Sequence, residues 1–232
     1  MGLAIALLFS LPCSPPATEL NKFTLRERVG HDWNDELVHY PVSFARGECR
    51  PDELQLEDEE GQPIPLQLTD VEAQPDGSVA RGKVAFIVTL PAGATRTFTL
   101  GKGPKKTDES KTDLAAVVEG NSLVLSTSAI GVKLAWGEEK FDPPRAATGV
   151  PAPIQQFRLR SGAWNGKTWL ETRHLVTRFS AKLTEDGPVY KQVLLRYEFQ
   201  RPESWGRQED PFYTMAVRVV AGQEIATFAE EY

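Results

Sequence analysis

The sequence predicts an all-β protein: a small N-terminal antiparallel β-barrel or sandwich followed by a larger antiparallel β-sandwich. Three observations carry that prediction. Apolar residues recur at period two over many short stretches, Gly, Pro, Asn and Asp punctuate them, and no stretch shows the 3.6-residue apolar period of a long amphipathic helix. A chain of 232 residues has room for two domains of ordinary size. The predicted division is a leader over 1–18, a first β domain over 19–101, a linker over 102–113 and a sandwich over 114–232. Because Met215, Val217 and Val219 alternate and lead through Ala221-Gly222-Gln223 into Ile225-Ala226-Thr227-Phe228, the strand pattern runs up to Tyr232. The chain is therefore expected to be the β part of something larger.

The elements follow in order. Met1 to Cys13 is an apolar run too short to span a bilayer, followed by Ser14-Pro15-Pro16-Ala17-Thr18, which resembles an export signal although no Lys or Arg precedes it. A secreted or periplasmic protein is expected. Lipid attachment at Cys13 is disfavoured, since Pro12 stands where a small residue is wanted. Phe23 and Leu25, then Val38, Tyr40, Val42 and Phe44, share one face of successive strands, with His39 and Ser43 on the opposite face. Leu54–Leu56, Ile64–Leu68, Val84–Leu90 and Thr97–Leu100 supply further strands. The turns between them, at Glu60-Gly61-Gln62-Pro63, Pro75-Asp76-Gly77 and Pro91-Ala92-Gly93, offer the preset or positive φ that tight turns require.

Gly101 to Asp113 is polar throughout and reads as the linker. Beyond it, Gly120-Asn121 predicts a hairpin between Val117-Val118-Glu119 and Ser122-Leu123-Val124-Leu125. Two long strands follow, one with Leu175, Thr177, Phe179, Ala181 and Leu183 of one parity, the other with Val189, Val193, Leu195, Tyr197 and Phe199, joined at Glu185-Asp186-Gly187-Pro188. Strands of that length suit a sandwich better than a small barrel.

Composition excludes some partners. With 26 Lys+Arg against 32 Asp+Glu, a net charge of -6 and no basic block, nucleic acid is not an expected ligand. The tract Glu57-Asp58-Glu59-Glu60 beside Gly61 reads as a solvated turn. Loss of the leader would leave Cys49 as the only cysteine, so stability must come from the core rather than from disulfides. His31-Asp32-Trp33-Asn34-Asp35-Glu36 gathers oxygen and imidazole groups, yet its spacing fits no ordered ligand motif and predicts a turn. No metal and no cofactor is expected. GxSxG, HExxH, P-loop and dinucleotide fingerprints do not occur.

Candidate binding residues gather where aromatic and polar groups alternate. Trp136, Trp164, Trp169 and Trp205 lie in the second region, three of them beside or near Gly, and the densest cluster runs from Ser161 to His174. An exposed indole offers a flat apolar face to sugar C–H groups while amide and guanidinium groups bind hydroxyls. Trp164, Asn165, Trp169, Arg173 and His174 are accordingly the predicted substrate-binding residues, for a polysaccharide or oligosaccharide. The competing reading makes these indoles plugs at the end of a sandwich. By strand parity His174, Thr172 and Arg178 are expected on the face opposite Leu175, Thr177 and Phe179. No complete acid/base constellation is visible, and the catalytic residues stay unassigned.

Larger patterns carry a family resemblance. Pro41-Val42-Ser43-Phe44-Ala45-Arg46-Gly47, the run Leu54 to Gln67, Pro75-Asp76-Gly77-Ser78-Val79 and Leu90-Pro91-Ala92-Gly93 resemble the N-terminal β domain of exo-acting rhamnogalacturonan lyase-like proteins. The strand from Asn121 to Leu125, the Trp-Asn-Gly loop and the Glu-Asp-Gly-Pro188-Val189 turn look like their central β-sandwich. The resemblance implies β-elimination of a pectic polysaccharide in a cleft completed by a C-terminal α/α toroid. Nothing here supplies the toroid, and no family catalytic residue maps onto a position of this sequence. The expectation is the β portion of a polysaccharide lyase, or of a glycoside hydrolase, incomplete by itself; a non-catalytic carbohydrate-binding or cell-surface β module is the alternative.

Overall fold

The computed structural model describes residues 18–103, 112–201 and 211–232. The apolar leader with Cys13, the middle of the expected linker and Trp205 lie outside these residues. The fold is all-β, as the period-two pattern requires. Thr18, placed in the leader by the sequence, already belongs to the first strand.

Seven strands build the first sandwich: β1 (Thr18–Arg26), β2 (Trp33–Ser43), β3 (Leu54–Glu57), β4 (Pro63–Ile64), β5 (Leu66–Ala73), β6 (Val79–Leu90) and β7 (Thr95–Lys102). They form two separate antiparallel sheets, ordered β1-β7-β3-β4 and β2-β6-β5, so this is a sandwich rather than a closed barrel. Parity explains the core: Phe23, Leu54, Leu56, Phe98 and Leu100 from one sheet meet Val42, Val84, Phe86 and Val88 from the other. Phe23 stacks on Tyr40 at 3.8 Å and lies within 5.9 Å of Phe86 and 5.5 Å of Phe98. Truncating a ring in such a cluster costs about 3–5 kcal/mol. Cys49 is buried here, its thiol donating to the Arg50 carbonyl at 3.2 Å and pushed up to about 11 by burial.

The second sandwich comprises β8 (Ala115–Glu119), β9 (Ser122–Ser126), β10 (Gly131–Ala135), β11 (Glu138–Arg145), β12 (Ile154–Arg158), β13 (Trp164–Asn165), β14 (Val176–Asp186), β15 (Tyr190–Phe199), β16 (Phe212–Val220) and β17 (Ala226–Glu231). Its sheets run β13-β12-β10-β9-β8 and β11-β14-β15-β16-β17. The expected hairpin is present: Glu119 pairs with Ser122 around Gly120-Asn121, and Gly120 takes a positive φ of 61°. Leu123, Leu125, Val132 and Leu134 face Phe179, Val193, Leu195, Tyr197 and Val217 across the core. Tyr197 is wholly buried and its hydroxyl donates to the Pro151 carbonyl at 2.8 Å, which satisfies a polar group that would otherwise destabilise the core.

One parity expectation is corrected. Val176 is fully buried while Leu175 is 39% exposed, because the β14–β15 register shifts between Val176 and Arg178. A bulge inserts one residue and reverses the facing of everything before it. Phe179, Ala181 and Leu183 keep the expected face; Leu175 does not, and His174 sits in a bend before β14 rather than on it.

The outer face of β2-β6-β5 packs against the second sandwich. Ala85, Val189, Tyr190 and Val220 form a small buried cluster with Leu37 and Ile87 against it, and His39 meets the Tyr190 ring edge-on at 5.6 Å. At the centre of this seam Gln67 is 6% exposed; its Nε2 donates to Glu185 at 2.8 Å and its Oε1 accepts the Tyr190 N–H at 3.1 Å. The described flanks of the expected linker are also held. Gly101 and Lys102 belong to β7, Thr112 Oγ1 donates to the Pro188 carbonyl at 3.1 Å, and Asp113 accepts the N–H groups of Ser128 and Gly222 at 3.0 and 2.9 Å.

Candidate functional site

The segment from Trp164 to Leu170 runs antiparallel beside β12. Trp164 is opposite Arg158, Asn165 is opposite Phe157, and Thr168 is tied to Ile154 at the other end of the strand. Its N–H donates to the Ile154 carbonyl at 2.9 Å and its hydroxyl accepts the Ile154 N–H at 3.0 Å. Four residue steps along the strand separate these anchors, about 13 Å at the extended rise. The predicted cluster is thereby divided between the two ends of β12.

At one end Trp164 is half-buried. A Cβ on Gly131 would come within 2.8 Å of Trp164 Cη2, so glycine is what lets the indole lie against β10. Arg158 stands 5.8 Å from the ring centre and donates to the Thr127 and Ile130 carbonyls, each at 2.9 Å. This indole is packed; Asn165 beside it is exposed.

At the other end Trp169 is 71% exposed at the mouth of a cavity of about 480 Å³. Glu171, His174, Phe199, Phe212 and Tyr213 line it with the indole. The His174 N–H donates to Thr172 Oγ1 at 3.1 Å, fixing the bend that carries the imidazole, whose ring lies 6.4 Å from that of Phe199. The Tyr213 hydroxyl donates to Glu230 at 2.8 Å, and burial pushes that phenol well above its ordinary range. Arg196 lies over the Phe212 ring at 4.5 Å and is paired with Glu198 at 3.1 Å. Arg173 is exposed and does not line the cavity. Of the five predicted residues, Trp169 and His174 meet here.

Sequence reasoning missed Phe199, Phe212 and Tyr213 as wall residues. They come from β15 and β16, whose register sets Tyr197 opposite Tyr213 and Glu198 opposite Phe212. Parity assigns Phe199 to the core, which is correct for its burial but silent about which end of the sandwich it closes. Only strand pairing brings these rings to Trp169.

A second concavity of similar volume, about 480 Å³, opens in the first sandwich beside Trp33, Leu25, Val29 and Leu90. Its buried carboxylate is already committed. Glu27 accepts the N–H groups of Gly93, Val29 and Gly30 at 2.7, 2.5 and 3.0 Å, and the Gly93 bond leads a set that lowers its pKa to about 2. The segment from His31 to Glu36, expected as a turn, instead enters β2 at Trp33, and two of its carboxylates are likewise engaged, Asp32 with the Ala92 N–H at 2.7 Å and Asp35 with the Thr89 hydroxyl at 3.0 Å. Among the described residues no group of three or more His, Cys, Asp or Glu is placed to hold a metal ion, and no helix is long and apolar enough to cross a membrane.

No family model matches the sequence. No curated protein matches it either. The fold does match solved structures. It is similar to a protein in the glycosyl hydrolase family 38 from Enterococcus faecalis, with a TM-score of 0.56 and 14% identity over 90% of this chain and 30% of that one. It is similar also to an alpha-mannosidase from Enterococcus faecalis V583, with a TM-score of 0.56 and 13% identity over 90% of this chain and 29% of the other. The arrangement of β-sandwiches is thus one found within carbohydrate-active enzymes, and the chain spans under a third of the length of either neighbour.

Proposed function

We propose that this chain is the sugar-contacting β portion of an exported polysaccharide-degrading enzyme. The observation that carries the reading is Trp169, 71% exposed beside a cavity of about 480 Å³ walled by aromatic rings and edged by Glu171 and His174. A large indole left in water, next to groups that accept and donate hydrogen bonds, suits a ligand with one apolar and one polar face. Similarity to portions of two carbohydrate-active enzymes supports the same substrate class.

The reaction proposed is β-elimination on a pectic polymer, on the strength of the resemblance to rhamnogalacturonan lyase-like proteins. Elimination needs a base at the proton alpha to a uronate carboxylate and a cation or donor at the enolate oxygen, converging on one sugar. In this proposal those groups belong to a further domain, and the β portion grips the polymer. Isothermal titration of pectic oligosaccharides into the chain is the test. Trp169→Ala is expected to weaken binding severalfold, since losing one stacked ring costs about 1 kcal/mol or more. Trp164→Ala is expected to leave binding near wild type, because that ring is packed on Gly131. Equal binding by wild type and Trp169→Ala would refute the site. New unsaturated-uronate absorbance from this chain alone would refute the division of labour.

A further inference from the structure

The charges around the cavity carry a statement about which sugar enters it. The wall is aromatic, and the ionisable side chains among its described lining residues are Glu171, His174 and tyrosine phenols. No Lys or Arg is among them. A second carboxylate, Glu230, stands behind the wall and takes the hydrogen of the Tyr213 hydroxyl. Arg196 approaches the same wall, but it lies over the Phe212 ring and is paired with Glu198. A uronate brought onto Trp169 would therefore set its carboxylate among Glu171 and Glu230, with no guanidinium or ammonium of the lining to receive it.

We propose that the Trp169 cavity is a subsite for an uncharged sugar and discriminates against uronates. The proposal rests on the sugar-binding reading above and deepens it. A neutral hexose or deoxyhexose lays its C–H face on the Trp169 ring and donates hydroxyl hydrogens to Glu171. A uronate could lay down the same face, yet its charge meets the like charges of Glu171 and Glu230, both exposed, where the repulsion is modest and is screened by salt. A polymer containing both kinds of sugar is thus held here by its neutral residues, and its acidic residues are presented elsewhere.

The test uses the full chain at low salt, with mannotriose as the neutral probe and trigalacturonic acid as the charged one, each titrated by calorimetry. Mannotriose is expected to bind about threefold to fivefold tighter than trigalacturonic acid, the difference one exposed like-charge contact produces. Glu171→Gln should narrow that gap by raising the affinity for the acid, and added salt should narrow it in the wild type alone. Trigalacturonic acid binding as tightly as mannotriose, with both still lost in Trp169→Ala, would overturn the selectivity while leaving the sugar site standing. Failure of both probes to bind would overturn the site and the selectivity together.

Discussion

Gly187 is expected to be essential for spatial rather than conformational reasons, and the seam between the sandwiches supplies the magnitude. Its φ lies outside the left-handed region, so alanine meets no backbone penalty. A Cβ there would stand 2.2 Å from Gln67 Cδ and Oε1 and 2.6 Å from its Cγ, inside any real contact distance. Gly187→Ala must therefore displace the Gln67 side chain, and both of its bonds across the seam go with it. The buried Tyr190 N–H is then unsatisfied, which costs about 1–3 kcal/mol, and the bond to Glu185 adds about 1 kcal/mol. Reduced freedom of the unfolded chain returns about 0.4–1 kcal/mol. The net expectation is about 1–3.5 kcal/mol, or a fall in Tm of roughly 2–14 °C for a chain of this size. Urea unfolding of wild type, Gly187→Ala, Gln67→Ala and the double variant isolates the cause. With Gln67 truncated, the alanine at 187 should cost almost nothing. An equal cost in both backgrounds would refute the steric argument, as would no cost in the wild type.

Two further perturbations probe other parts of the fold. Glu27 titrates at about 2, below the ordinary carboxylate value of 4.5, so its contribution to stability is complete above pH 4.5 and disappears as the pH falls toward 2. The melting temperature of the wild type should fall more steeply across that window than that of Glu27→Gln, and parallel curves would contradict the assignment. Gly131→Ala drives a methyl into the Trp164 ring at 2.8 Å. It should displace the indole and shift the protein's fluorescence to the red, an effect absent when Trp164 is first replaced by Leu.

Local pattern was enough to read much of the fold. The period-two apolar runs of β2, β6, β15 and β16 and the turns at Gly120-Asn121 and Glu185–Pro188 can be seen because each is set by neighbours a few residues away. The bulge at the start of β14 was not legible, since Leu175-Val176-Thr177 offers apolar residues of both parities and only pairing with β15 decides between them. The covering of the β2-β6-β5 outer face by Tyr190 and Val220 was hidden for a similar reason: His39 and Gln67 look like solvated positions until their partners more than 100 residues away are known. At the candidate site, the sequence offered the stretch from Trp164 to His174 as one cluster. It could not show that β12 would act as a spacer between its two indoles, nor that rings from β15 and β16 would complete the wall around only one of them.

The clasp of Thr168 on Ile154 has a thermodynamic consequence for recognition. With both backbone and hydroxyl of Thr168 bound to Ile154 of β12, the residue next to Trp169 is fixed whether or not anything occupies the cavity. Ordering a loop on a ligand subtracts from affinity, by about 0.5–1.5 kcal/mol for each side chain immobilised. Here the backbone that presents the indole is ordered when the protein folds. A ligand arriving at that ring meets a surface already in place, so complementarity of shape and charge decides how tightly it is held.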